Sequence, residues 1–78
     1  MAVVDTEVRR ALHSEIQSPT AKLVYLSLAY SGRASVGELH DRIGEPRIRV
    51  YGVLDALVDR GLVHEERSDG GPVYAVDR

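Results

Sequence analysis

The residues best suited to specific chemistry sit together just after Pro46: Arg47, Ile48, Arg49, Tyr51 and Gly52. An arginine fork presents parallel N–H donors, and the O6 and N7 acceptors of guanine match it in plane and spacing. Each well-made pair of that kind discriminates against a wrong base by about 1–3 kcal/mol. Gly52 allows close backbone approach to whatever the arginines touch. If this stretch opens a helix, the free amides of its first turn also favour a phosphate. Tyr51 is open between a base contact and a place in a core or dimer interface. Arg67 lies beside Asp69-Gly70-Gly71; at a loop tip, Arg67 and Gly70 would meet a sugar–phosphate backbone or a minor groove. A hairpin tip with no ligand is the alternative there, and Glu65 and Glu66 would repel phosphate if they shared its face.

Catalytic constellations are missing. The imidazoles are His13, His40 and His64, and cysteine is absent. No two histidines have the spacing of a metal pair on one helix face, and thiolate sites are excluded. No glycine-rich phosphate loop or triad signature occurs. The expectation is no enzyme, no cofactor and no metal.

The elements that must position the arginines follow from periodicity and punctuation. Val4, Val8, Leu12 and Ile16 form an i, i+4 series, which predicts a helix over residues 3–17. Ser18-Pro19 restarts the chain as N-cap and first helical residue, giving a helix over 18–31 that Gly32 ends. Its apolar face is read from Leu23, Leu26 and Tyr30, widened by Val24 and Leu28. Arg33-Ala34 has room to be extended for a residue or two. Ser35 and Glu38 make a capping box for a short helix over 35–43, with Val36, Leu39 and Ile43 inward and Gly44 at its end. A tight turn at Glu45-Pro46 leads into a helix over 46–60, with Val50, Val53, Leu54, Leu57 and Val58 inward. Two short strands over 62–76 flank Ser68-Asp69-Gly70-Gly71, where Asp-Gly and Gly-Gly supply positive φ for a hairpin.

The helix, tight turn and helix around Gly44 have the proportions of a helix-turn-helix. In that motif the second helix offers its N-terminal residues to the major groove. The fold class expected is mainly α with a small β-hairpin: a winged helix-turn-helix with an extra N-terminal helix, as one domain over 1–78.

Bulk properties set limits on this reading. With 78 residues, a chain buries only about 60% of its unfolded surface, so a partner subunit is the natural supplement to a small core. The narrow stripe of Val4, Val8, Leu12 and Ile16 is the candidate dimer seam. Folding back on the chain's own second helix is the alternative. No apolar run approaches the ~20 residues of a membrane span, and the N-terminus lacks the features of a signal peptide. A cytoplasmic protein is expected. The net charge of −2 and pI near 5.8 run against the basic balance of many nucleic-acid domains. Affinity follows local charge, however, and nine of the ten cations are arginine.

Three segments carry a family resemblance: Ser35-Val36-Gly37-Glu38-Leu39, Pro46-Arg47-Ile48-Arg49-Val50-Tyr51-Gly52-Val53-Leu54, and Leu57-Val58-Asp59-Arg60-Gly61-Leu62-Val63. From about residue 18 to 76 the chain resembles the archaeal TrmB-like and MarR-like winged-helix regulators. Gly71-Pro72-Val73-Tyr74 in the wing is similar to PadR-like regulators. The resemblance implies a homodimer on a pseudo-palindromic double-stranded DNA operator, with the helix around Arg47 to Tyr51 in the major groove. It implies a transcriptional regulator; in departure from larger TrmB-like members, no small-molecule effector domain is expected in this chain. The alternative, favoured by the acidic balance and by Glu65 and Glu66, is a winged-helix protein-interaction module within a larger assembly.

Overall fold

In the computed structural model, which describes Ile16 and residues 18–77, three helices precede a two-stranded antiparallel hairpin. Helix α1 spans Pro19–Ser31, with the Ala21 amide donating to Ser18 Oγ at 3.3 Å and Pro19 at the first position. Helix α2 spans Val36–Ile43 and opens on the expected capping box. The Glu38 amide donates to Ser35 Oγ at 3.1 Å, and the Ser35 amide donates to Glu38 Oε1 at 2.9 Å. Helix α3 spans Arg47–Asp59. It ends where the amides of Gly61 and Leu62 donate to the carbonyls of Val58 and Leu57, at 2.9 and 3.0 Å. Those two bonds satisfy carbonyls that the last turn would otherwise leave open.

Strands β1 (Val63–Ser68) and β2 (Gly71–Val76) pair from Val63 opposite Val76 to Ser68 opposite Gly71. The turn differs in detail from its sequence reading. Asp69 and Gly70 do not take positive φ; Gly71, one residue later, does, at 113°. A type I′ turn needs positive φ at both central residues, so this hairpin is closed another way. Ser68 Oγ–H donates to the Gly71 carbonyl at 2.8 Å and holds the tip. The extended residue foreseen at Ala34 finds a partner far along the chain. Its amide donates to Tyr74 O at 3.0 Å and its carbonyl accepts from Tyr74 N at 2.8 Å.

The core lies between the three helices and the inner face of the hairpin. Leu39 of α2, Val50 and Leu54 of α3, and Val24 and Leu28 of α1 are almost wholly buried, with Val63 of β1 closing one side. Truncating Leu54 to alanine is expected to cost about 2–5 kcal/mol, a large share of the stability of so small a domain. Helix α1 faces the core with only part of the face its sequence suggested, Val24 and Leu28, joined by Tyr25. Val24, Tyr25 and Leu28 are buried, whereas Leu23 and Tyr30 are 53% and 56% exposed and Leu26 is half-buried. The Leu23-Leu26-Tyr30 stripe exists at helical spacing, but it points away from the core. In α3, Val50, Leu54 and Leu57 turn inward as expected, Val53 is half-buried, and Val58 is exposed.

The helix anticipated over 3–17, with Val4, Val8 and Leu12, lies outside the described residues. Ile16 is described. It is not helical, and at 4% exposure it is packed into this chain's own core. Its apolar surface is therefore already covered within the chain and not available to a dimer seam. Among the described residues, no helix is long and apolar enough to cross a membrane. No cluster of three or more histidine, cysteine or acidic side chains there could hold a metal.

Candidate nucleic-acid interface

The turn between α2 and α3 sets the geometry of the site. Gly44 adopts the left-handed conformation (φ 82°, ψ 9°), and its amide donates to the His40 carbonyl at 2.8 Å. The side chain of His40 then bridges the turn: Nδ1–H donates to the Glu45 carbonyl at 2.7 Å. Both bonds hold the chain tightly where it reverses into α3.

The two helix starts differ electrostatically. At α2, Ser35 and Glu38 satisfy the open amides, and Glu38 places a negative charge against the positive helix end. Donation from the Ser35 amide holds the Glu38 carboxyl below its ordinary range, aided by the Ser35 hydroxyl and Arg42, against some desolvation. At α3, Pro46 occupies the N-cap, makes no side-chain cap, and is followed by no acid in the first turn. Its first-turn amides and dipole therefore stay open to an anion.

The residues at that start are all solvent-facing: Arg47, Ile48, Arg49, Tyr51 and Gly52 are exposed. They divide between two sides of α3. Arg47, Tyr51 and the wing-tip Gly70 line a cleft of about 240 Å³, with Ser35, Val36, Gly37 and Pro72. Ile48, Arg49 and Gly52 line an open groove of about 530 Å³ toward the start of α1, floored by Ala21, Val53 and Ala56. Ile48 projects furthest, at 83% exposure.

The arginines are not equivalent. Arg49 Nε lies 3.0 Å from Glu45 Oε1, so part of its charge is already answered. Arg47 makes no ion pair among the described residues. Its guanidinium lies against α2, where a Cβ added at Gly37 would sit 3.3 Å from Nη1. The periodicity of the sequence did not reveal that contact. The Glu45–Arg49 pair has an i, i+4 spacing with the acid N-terminal, a signal masked by the place of Glu45 in the turn before the helix.

The hairpin resolves the question of its acidic residues. Side chains alternate along a strand and directly opposed residues share a face. Arg67, opposite Pro72, and Glu65, opposite the buried Tyr74, therefore lie on the inner face, which faces α3. Glu66 lies on the other face. It pairs with His64 Nε2 at 2.7 Å and Arg33 Nε at 2.8 Å, and donation from His64 holds its carboxyl below the ordinary range. Arg67 is exposed beside the cleft that Pro72 lines. Burial pushes the Tyr74 hydroxyl above its ordinary value, reinforced by the charges of Glu65 and Asp55 and by Tyr51. That phenol stays neutral at any physiological pH.

Comparison with known proteins agrees with this architecture. A MarR family transcriptional regulator from Silicibacter pomeroyi DSS superposes with a TM-score of 0.71 at 28% identity, over 94% of this chain and 49% of that one. The reduced form of MarR from Escherichia coli superposes with a TM-score of 0.70 at 14% identity, over 97% of this chain and 68% of that one. The second likeness is one of fold alone. The chain spans about half the length of the Silicibacter regulator. No curated protein matches it. The profile of the family described as "Sugar-specific transcriptional regulator TrmB" matches residues 18–77, from the cap of α1 through the last strand. With a MarR-like winged helix and that match over most of its length, the chain belongs to the TrmB family of transcriptional regulators.

Proposed function

We propose that this protein is a cytoplasmic regulator that binds double-stranded DNA sequence-specifically as a homodimer. Helix α3 enters the major groove, Arg47, Arg49 and Tyr51 meet base edges, and Arg67 and Gly70 in the wing lie along the flanking backbone. One observation carries the reading: the uncapped, acid-free start of α3 presents Arg47, Ile48, Arg49 and Tyr51 to solvent together. An open helix dipole and two guanidinium forks suit a phosphate-lined groove. The negative total charge is offset locally on the wing, where Glu66 pairs with Arg33 and His64 on the far face.

The dimer is supported by the outward face of α1. Leu23 and Tyr30 are more than half exposed at i, i+7, an apolar stripe that a second copy would cover. Val4, Val8 and Leu12 belong to the same proposed contact, and Ile16 does not. Two-fold pairing would set two α3 helices on half-sites about 34 Å apart.

The deciding experiment selects duplexes from a randomised pool, then titrates the best one against salt with random duplex as competitor. Selective binding whose log affinity falls linearly with log salt is the expected result, and the slope counts phosphates. Equal weak binding to both duplexes would transfer the function to a protein-interaction module, the reading that Glu65 on the same face as Arg67 favours.

A further inference from the structure

Ile48 is the apolar member of the group at the start of α3 that makes no hydrogen bond through its side chain. It is 83% exposed, between two arginines, and nothing among the described residues covers it. Single exposed apolar residues are ordinary on protein surfaces, so exposure alone assigns nothing. Its surroundings add more. The next residue along the same line of the helix, four positions on, is Gly52, and a Cβ built there would meet nothing within 4 Å. Four further on is Ala56. Ile48 is thus a single branched projection on a line otherwise kept low, and a flat surface could approach α3 along it until Ile48 made contact.

Its chemistry limits what that contact is. Isoleucine neither donates nor accepts a hydrogen bond, so it gains nothing from guanine, adenine or cytosine edges and would leave their polar atoms unanswered. The major groove offers one apolar group, the 5-methyl of thymine. Arg47 and Arg49 on either side supply the positive charge that brings a phosphate-lined groove to this face.

We propose that Ile48 reads a thymine 5-methyl group, with Gly52 providing the clearance that lets α3 sit close enough. This rests on the DNA-binding reading above and assigns the site a base preference: a thymine in each half-site, beside whatever the arginines select.

The test uses the full chain and the best duplex from the randomised selection. Each thymine is replaced in turn by deoxyuridine, which removes the methyl and keeps every hydrogen-bonding group. One thymine per half-site is expected to weaken binding about fourfold, the equivalent of about 0.8 kcal/mol for one buried methyl. Ile48→Ala, an exposed change that leaves the core untouched, should bind thymine and deoxyuridine duplexes alike. Uniform tolerance of deoxyuridine by the unaltered protein overturns the assignment while leaving DNA reading intact. A methyl effect that persists in Ile48→Ala also overturns it. If the pool yields no preferred duplex, DNA reading itself fails, and this assignment with it.

Discussion

The guanidinium of Arg47 lies over Gly37, so that a Cβ at Gly37 would come within 3.3 Å of Nη1. The first residue of α3 thereby rests on the second residue of α2, and the absence of one carbon sets where the arginine lies. Gly37 has no positive φ, so its backbone accepts alanine. Gly37→Ala is expected to stabilise the fold by about 0.4–1 kcal/mol, through the unfolded chain. It also pushes Arg47 outward. A raised thermal midpoint with weaker binding to the selected duplex is the outcome; weaker binding with a lowered midpoint would refute the account.

Arg47 and Arg49 should separate in mutagenesis. Arg47, free of ion pairs among the described residues, is expected to lose about 1–3 kcal/mol of sequence discrimination on change to alanine. Arg49→Ala should cost less, because Glu45 already holds that side chain. Glu45→Gln releases it. The salt dependence should then steepen by about one phosphate, with little change in stability, since exposed pairs contribute about 0–1 kcal/mol. An unchanged salt slope would count against Arg49 as a phosphate or base contact.

The turn before α3 rests on the His40 side chain. His40→Ala removes the donor to the Glu45 carbonyl and is expected to cost about 0.5–1.5 kcal/mol, read as a lowered urea midpoint. If the midpoint does not move, the bridge is not holding the turn.

Acid sensitivity has a definite sign. Glu38 and Glu66 both have carboxyls held below their ordinary range. The folded state therefore binds fewer protons than the unfolded one, and each contribution is complete above about pH 4.3. It is lost as pH falls through the depressed folded value. Glu38→Gln keeps an acceptor for the Ser35 amide but cannot titrate. Its stability should fall less steeply below about pH 4 than that of the unaltered chain; parallel acid profiles would contradict this.

Leu23 offers a test of association. Leu23→Asp places a charge on an exposed face of α1 without touching the core. Light scattering should report half the mass of the unaltered protein, with the helical circular dichroism retained. An unchanged mass would move the proposed contact off α1.

Much of this was legible in the residues themselves. Caps are local chemistry, so Ser18-Pro19, the Ser35–Glu38 box and Gly44 marked the helix ends to within a residue. The facing of α1 was not legible, because the helix carries apolar residues on two sides. Leu23, Leu26 and Tyr30 fit the helical period as well as Val24, Tyr25 and Leu28 do. Periodicity finds a stripe but cannot say which of two is turned inward. The arginines at the start of α3 were found from type and position. Their inequality was not, because it depends on Gly37 and Glu45, one of them across a helix boundary. The partner of Ala34 was invisible for a related reason: nothing local in the sequence points from Ala34 to Tyr74.

That last pairing has a consequence for how the wing can change. Ala34 and Tyr74 exchange both backbone hydrogen bonds, so α2, α3 and the hairpin tip lie on one closed loop of chain. The entropy of closing a loop rises only with the logarithm of its length, about 0.6 kcal/mol for each doubling. A few residues inserted between Ser68 and Gly71 would lengthen a loop of this size by a small fraction. The clasp would hold almost as firmly around a longer wing, leaving the reach of the hairpin free to vary while the helices it closes upon keep their places.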